Sequence, residues 1–225
     1  MRSFIFGHAT SGLPILGYEF GSGLPFVLIL GGVHGDEPEG VAGATGLVEQ
    51  MTLHFSHKMR LVIVPAFNPD GVLAKTRMNG RNVDLNRNLP TKDWDPKAFT
   101  PRYPPGPTAN SERENQDLVA FLKDNKPNMI FSLHSWKPML NVNGDCRSEA
   151  DAIAGLTGYV IEETVGYPTP GCLGTYGVEN SIPVLTYEIE RGLKNSEILR
   201  VHVPAILEAL KVSESRFASN PGKKK

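Results

Sequence analysis

Residues 26–40 read FVLILGGVHGDEPEG. The opening run FVLIL is short, apolar and closed by Gly31 and Gly32, which marks a strand buried on both faces. Pro38 then stands where a helix begins, and Val41, Ala44, Thr45 and Val48 recur at helical spacing to about residue 51. The segment therefore reads strand, turn, helix. The pattern continues outward, with strands predicted over 60–64, 129–133 and 184–189 and helices over 112–123, 149–165 and 198–212. Two further strands, 2–7 and 14–20, flank the turn signal Thr10-Ser11-Gly12. This alternation predicts an α/β fold: a single domain with a mostly parallel mixed sheet and helices on both faces.

Residues 68–109 break the pattern. They are rich in Pro, Asn, Gly and Arg, and so long an irregular stretch in a compact domain is expected to be functional, here the wall of an active site. No repeat or linker divides the chain, so one domain is expected over 1–212. Residues 213–225, ending in Pro221, Gly222 and three lysines, are expected to be a disordered basic tail.

Composition narrows the function classes. With 23 Lys and Arg against 24 Asp and Glu the net charge is −1, which offers no basic footprint for nucleic acid or anionic lipid. No apolar run approaches the roughly 20 residues of a membrane span, and Gly7, Ser11, Gly12 and Pro14 interrupt the start of the chain, so no secretory signal is read. A cytoplasmic protein without membrane or nucleic-acid partners is expected. Cys146 and Cys172 lack C-x-x-C spacing and leave their pairing open. No G-x-S-x-G elbow occurs, and GSGLPF at 21–26 lacks the last glycine of a dinucleotide fingerprint.

The chemistry concentrates in a few places. His34 and Glu37 form H-x-x-E in the turn after the first buried strand, the end at which open α/β sheets bind ligands. An imidazole with a carboxylate suits Zn²⁺, whose catalytic sites commonly take three protein ligands. His134, in SLHSW at another strand end, is the candidate third. His54 and His57 lie in a polar connection and read as solvated, and His8 and His202 as structural. TRMNGRNVDLNRN, residues 76–88, places Arg77, Arg81 and Arg87 among four asparagines. Such forks hold carboxylates, stabilise an oxyanion or bind phosphate. Asp84 is placed to orient a ligand histidine. In LTYEIE, residues 185–190, Glu188 and Glu190 share one strand face, and one of them suits a general base; Glu190, beside Arg191, also reads as half of an ion pair.

The order of these pieces resembles the zinc carboxypeptidase family of the carboxypeptidase A type. H-x-x-E is followed by NPDG at 68–71, R-x-N, D-L-N-R, a strand ending in LHS, and T-Y-E-I. The likeness spans 31–190, and GGVHGDE, DLNRN and PTPGCLGTY (168–176) resemble its short bacterial murein-peptide branch. That branch releases meso-diaminopimelate from the γ-D-glutamyl end of peptidoglycan tripeptides. The resemblance implies one Zn²⁺ per chain on His34, Glu37 and His134, with Asp84 holding His34. It implies that Arg77 polarises the scissile carbonyl and that Asn86 and Arg87 grip the terminal carboxylate. Glu188 would activate the zinc-bound water and then protonate the leaving amine. Gly171, Cys172 and Leu173 would help form the pocket for the departing residue, and Tyr167 or Tyr176 would stand for the mobile tyrosine of larger members, which adds Leu173 and Tyr176 to the substrate-binding set. Asp36 occupies a slot where larger members carry Arg. With the short chain, that implies an open cleft for a small peptide bearing a free carboxylate. Two other readings stay open: an N-acyl amino acid deacylase of the aspartoacylase and succinylglutamate desuccinylase type, and a non-catalytic module that binds carboxylate-bearing peptides. The oligomeric state is open too.

Overall fold

The computed structural model describes residues 1–97 and 100–218. β1 (Arg2–His8) and β2 (Pro14–Gly21) form an antiparallel hairpin, and β3 (Phe26–Gly31) leads through the glycine turn into α1 (Pro38–His54). β4 (Arg60–Val64), the short α2 (Pro69–Ala74) and α3 (Arg113–Asn125) follow, then β5 (Met129–Trp136), β6 (Met139–Asn143) and α4 (Arg147–Thr157). The chain continues through β7 (Val160–Glu162), α5 (Leu173–Glu179), β8 (Val184–Glu190), the single turn α6 (Asn195–Glu197) and α7 (Val203–Ala218). Among the described residues these strands make one eight-stranded sheet in the order β1-β2-β4-β3-β5-β8-β6-β7.

β4, β3, β5 and β8 run parallel at the centre, while β2 and β6 join them antiparallel. The expected α/β architecture with a mixed sheet is present, its parallel part lying where the apolar runs are longest. All six residues of β3 are buried. Val27 and Ile29 point into one core with Leu47 of α1, Ile153 of α4 and Ile206 of α7. Leu28 and Leu30 point into the other, with Leu118 of α3. Successive side chains of a strand face opposite ways, so one apolar run supplies both layers. The carboxyl ends of β3, β5 and β8 consequently lie side by side.

Several expectations change. The helix expected over 149–165 stops at Thr157, because Gly158 takes a left-handed conformation (φ 73°) and its N–H closes on the Ala154 carbonyl. The next residues make β7. The helix expected over 198–212 starts through α6 and a π-turn at Ile198–His202, and α7 continues six residues past Val212. Residues 213–218 of the tail expected over 213–225 are instead helical. Buried Ser213 donates to Glu149 Oε1 at 2.9 Å and Arg216 Nε reaches the same oxygen at 3.1 Å, interactions that hold the last turns in place; 219–225 lie outside the described residues. The stretch 68–109 holds α2 and a 3₁₀ turn at Leu85–Arg87. His57 is not solvated: its Nδ1 lies 3.0 Å from Glu214 of α7. Cys146 and Cys172 are both free and buried, and burial pushes the Cys146 thiol up to about 11. No helix among the described residues is long and apolar enough to cross a membrane.

Candidate active site

The turn after β3 is built from close approaches. Gly32 is left-handed at φ 63°, and a Cβ on Gly35 would fall 1.9 Å from the Gly71 backbone. Asn68 secures this contact by accepting the Gly71 N–H at 2.9 Å, which caps α2, and by donating to the Val33 carbonyl at 3.3 Å. NPDG therefore clamps the H-x-x-E turn from behind. His34 and Glu37 end up buried, directed toward the end of β5.

Three side chains converge there. His34 Nδ1 lies 3.0 Å from Glu37 Oε1 and 3.1 Å from His134 Nδ1, and His134 Nδ1 lies 2.8 Å from Glu37 Oε2. Among the described residues this is the group of three that fits a metal ion, its ligand atoms all within 4.8 Å of one another. Two ligands 2.0–2.1 Å from a tetrahedral zinc sit about 3.3 Å apart, close to the spacings observed. The far nitrogens are held as well, His34 Nε2 by Asp84 at 3.1 Å and His134 Nε2 by Ser132 Oγ at 2.9 Å. These contacts leave both Nδ1 atoms directed inward, the outer-sphere bracing that ligand imidazoles require. The donor set fits zinc.

Charge in the site is finely opposed. Burial would raise Glu37, but His34 and His134 hold its carboxyl well below the usual range. Burial and Arg77 depress His34, and Glu37 with Asp84 reverse this, so the imidazole is raised. Asp84, fully buried, is kept low by His34 and Arg77 against its own desolvation. Arg77 donates from Nε to Asp84 at 2.8 Å and from Nη1 to Glu37 at 3.3 Å.

Glu188 stands opposite on β8, directly in register with His134. Burial pushes its carboxyl up to about 7, and neighbouring Glu37 adds to this against His134, Arg77 and Arg191. Its Oε2 is buried without a hydrogen-bond partner. Glu190 is exposed beyond it and makes no ion pair with Arg191, which faces Asp36 and Glu37 instead. The ion-pair reading of Glu190 fails because the turn after β8 carries Arg191 away from it.

A cleft of about 290 Å³ opens over these groups. Asn86, Arg87, Tyr103, Trp136 and Tyr167 line it. Asn86 is fixed by the Leu173 N–H, which donates to its Oδ1 at 2.8 Å. Arg87 is 4% exposed, its Nε buried without a partner. Tyr103 lies beneath both Arg77 and Arg87, 4.8 and 5.0 Å from its ring centre, and stacks on Tyr167 at 5.9 Å. Leu173 and Tyr176 do not line the cleft. Both side chains pack into the core beside Val184, because α5 turns its apolar face inward; Leu173 serves through its backbone, and Cys172 and Gly174 are the cleft residues of this segment. Sequence reasoning passed over Tyr103, Trp136, Asn141 and Arg191 as site residues, none of which carries a spacing signal.

The family described as zinc carboxypeptidase matches residues 1–166. Murein peptide amidase A of Vibrio campbellii is 28% identical over 174 residues, covering 72% of this chain and 68% of that protein. The crystal structure of murein-tripeptide amidase from Escherichia coli O157 superposes with a TM-score of 0.73 at 22% identity, over 99% of this chain and 94% of that one. Bovine thrombin-activatable fibrinolysis inhibitor, solved with tick carboxypeptidase inhibitor, gives a TM-score of 0.82 at 19% identity over 97% and 90% of the two chains.

Proposed function

The chain belongs to the zinc carboxypeptidase family, and on that premise we propose that it hydrolyses the γ-D-Glu–meso-diaminopimelate amide bond of murein tripeptide, recycling wall peptides in the cytoplasm. The observation that carries this reading is the meeting, in one cleft, of the His34, Glu37 and His134 trio, a buried unpartnered Glu188 carboxyl oxygen and the Asn86 and Arg87 pair.

An ion held by such a trio supplies Lewis acidity toward a carbonyl oxygen and lowers the pKa of a water. The chain's own groups do the rest. Arg87 and the Asn86 amide take the substrate's terminal carboxylate, the bidentate grip a buried guanidinium suits. Arg77, braced by Asp84, offers its donors to the oxygen of the scissile carbonyl as negative charge develops. Glu188 accepts a proton from the attacking water and gives it to the leaving nitrogen, so that a neutral amine departs. Asp84 keeps the His34 ring in one orientation throughout. Tyr103 and Tyr167 wall the cleft against which the peptide lies.

Parallel assays test the proposal. L-Ala-γ-D-Glu-diaminopimelate is expected to release diaminopimelate, while its α-linked isomer and N-acetylaspartate are spared. Turnover of N-acetylaspartate alone would assign a deacylase, and tripeptide binding without turnover a binding module.

A further inference from the structure

Of the four guanidiniums that line the cleft, those of Arg102 and Arg191 have no part in the chemistry above, and Arg191 is the one that touches the metal trio. Arg191 follows β8 and also lines the cleft, but its side chain is 41% exposed where that of Arg77 is 11%. Its position is fixed through the backbone. The Arg191 N–H donates to the Trp136 carbonyl at 3.1 Å. The next N–H, of Gly192, donates to Glu39 Oε1 at 2.6 Å, and the other oxygen of Glu39 accepts Ser135 Oγ at 2.5 Å. A buried carboxylate in the first turn of α1 thus ties the turn after β8 to the end of β5.

The guanidinium itself is lightly committed. Nη2 donates to the Ser135 carbonyl at 3.2 Å, whereas Asp36 Oδ2 and Glu37 Oε1 are each 3.6 Å away, beyond hydrogen-bond reach. Arginine has five N–H donors, so most of this fork is available to a ligand. Arg191 abuts the metal trio from the β5 and β8 side, through Ser135 and Glu37. Asn86 and Arg87 are instead fastened to the segment at Gly171 and Leu173. Arg191 lines the same cleft as Asn86 and Arg87, so a peptide whose terminal carboxylate rested on that pair and whose scissile carbonyl lay at the trio would have its acyl half left to meet Arg191.

We infer that Arg191 is a second carboxylate anchor, reading an acid group on the acyl half of the substrate. This rests on the carboxypeptidase reading and sharpens it. A γ-linked glutamyl residue keeps its α-carboxylate free on that side of the scissile bond; an α-linked dipeptide unit of neutral residues has none. Arg191 would therefore favour a γ-linked glutamyl residue over a neutral acyl residue.

The test compares L-Ala-γ-D-Glu-diaminopimelate with the same peptide amidated at the glutamyl α-carboxylate, using wild type, Arg191→Gln and Arg191→Lys. A charge-assisted hydrogen bond predicts that wild type favours the acid form about tenfold or more in kcat/KM. In Arg191→Gln this ratio is expected to collapse toward one, mainly through KM for the acid form, and Arg191→Lys to recover part of it. A wild type that cleaves both peptides equally overturns the anchor without needing any variant. So does an equal loss on both peptides in both variants, which would mean that Arg191 only braces the turn. If wild type releases diaminopimelate from neither peptide, the carboxypeptidase reading itself fails and the anchor falls with it.

Discussion

Glu188 and Glu190 are two residues apart on one strand face, and residue type alone does not separate them. Position does. Glu188 is level with His134 in the β5–β8 register, its carboxyl drawn into the cleft and raised toward neutrality by burial. Glu190 lies past the cleft in solvent, donating its N–H to the Tyr159 hydroxyl. Glu188→Gln is therefore expected to lower kcat by about 10²–10⁴, the usual worth of a general base, with zinc content unchanged. Glu190→Gln is expected to leave turnover within about twofold, and steady-state kinetics on the pair would expose a wrong choice by reversing this order. The convergence of His34, Glu37 and His134 was legible in sequence because each lies at the end of an apolar run or in the turn after one, and strand ends gather on their own. Tyr103 was not, since its place under Arg77 and Arg87 depends on how the long 68–109 connection folds back. Tyr176 misled for the opposite reason: a polar tip near a site motif proved to belong to a core side chain, 3% exposed.

At the scale of elements, the central strands were readable from their apolar runs, and α1 from Val41, Ala44, Thr45 and Val48 at helical spacing. β6 and α5 were not, since MLNVN and LGTYGVE mix polar residues and glycine into spans too short for a period to emerge. The end of α7 shows what such a reading omits. Ser213, Glu214 and Arg216 look like a polar tail, yet all three make tertiary contacts that sequence periodicity does not register. Glu149 is fully buried, and its carboxylate accepts hydrogen bonds from Ser213 and Arg216. Removing a partner from a buried charge costs about 3–5 kcal/mol. Truncation after Val212 is thus expected to lower unfolding free energy in urea by at least about 3 kcal/mol. A midpoint unchanged by the truncation would show that the last turns contribute nothing to the fold.

For the whole molecule, the sheet order places β3, β5 and β8 as neighbours, and the carboxyl ends of these three strands carry the H-x-x-E turn, His134 and Glu188. A net charge of −1 hides this arrangement. The cleft gathers the guanidiniums of Arg77, Arg87, Arg102 and Arg191 with the carboxyls of Glu37, Glu163 and Glu188, a concentration of charge within a protein of balanced charge. The family match ends at residue 166, so β8 with Glu188 enters through the fold, which the superposition with the murein-tripeptide amidase structure follows over 99% of the chain. The most direct measurement is release of diaminopimelate from L-Ala-γ-D-Glu-diaminopimelate by the purified protein, before and after a chelator and again after zinc is restored. Release that stops on chelation and returns with zinc is the predicted result; steady release from metal-free protein would contradict it.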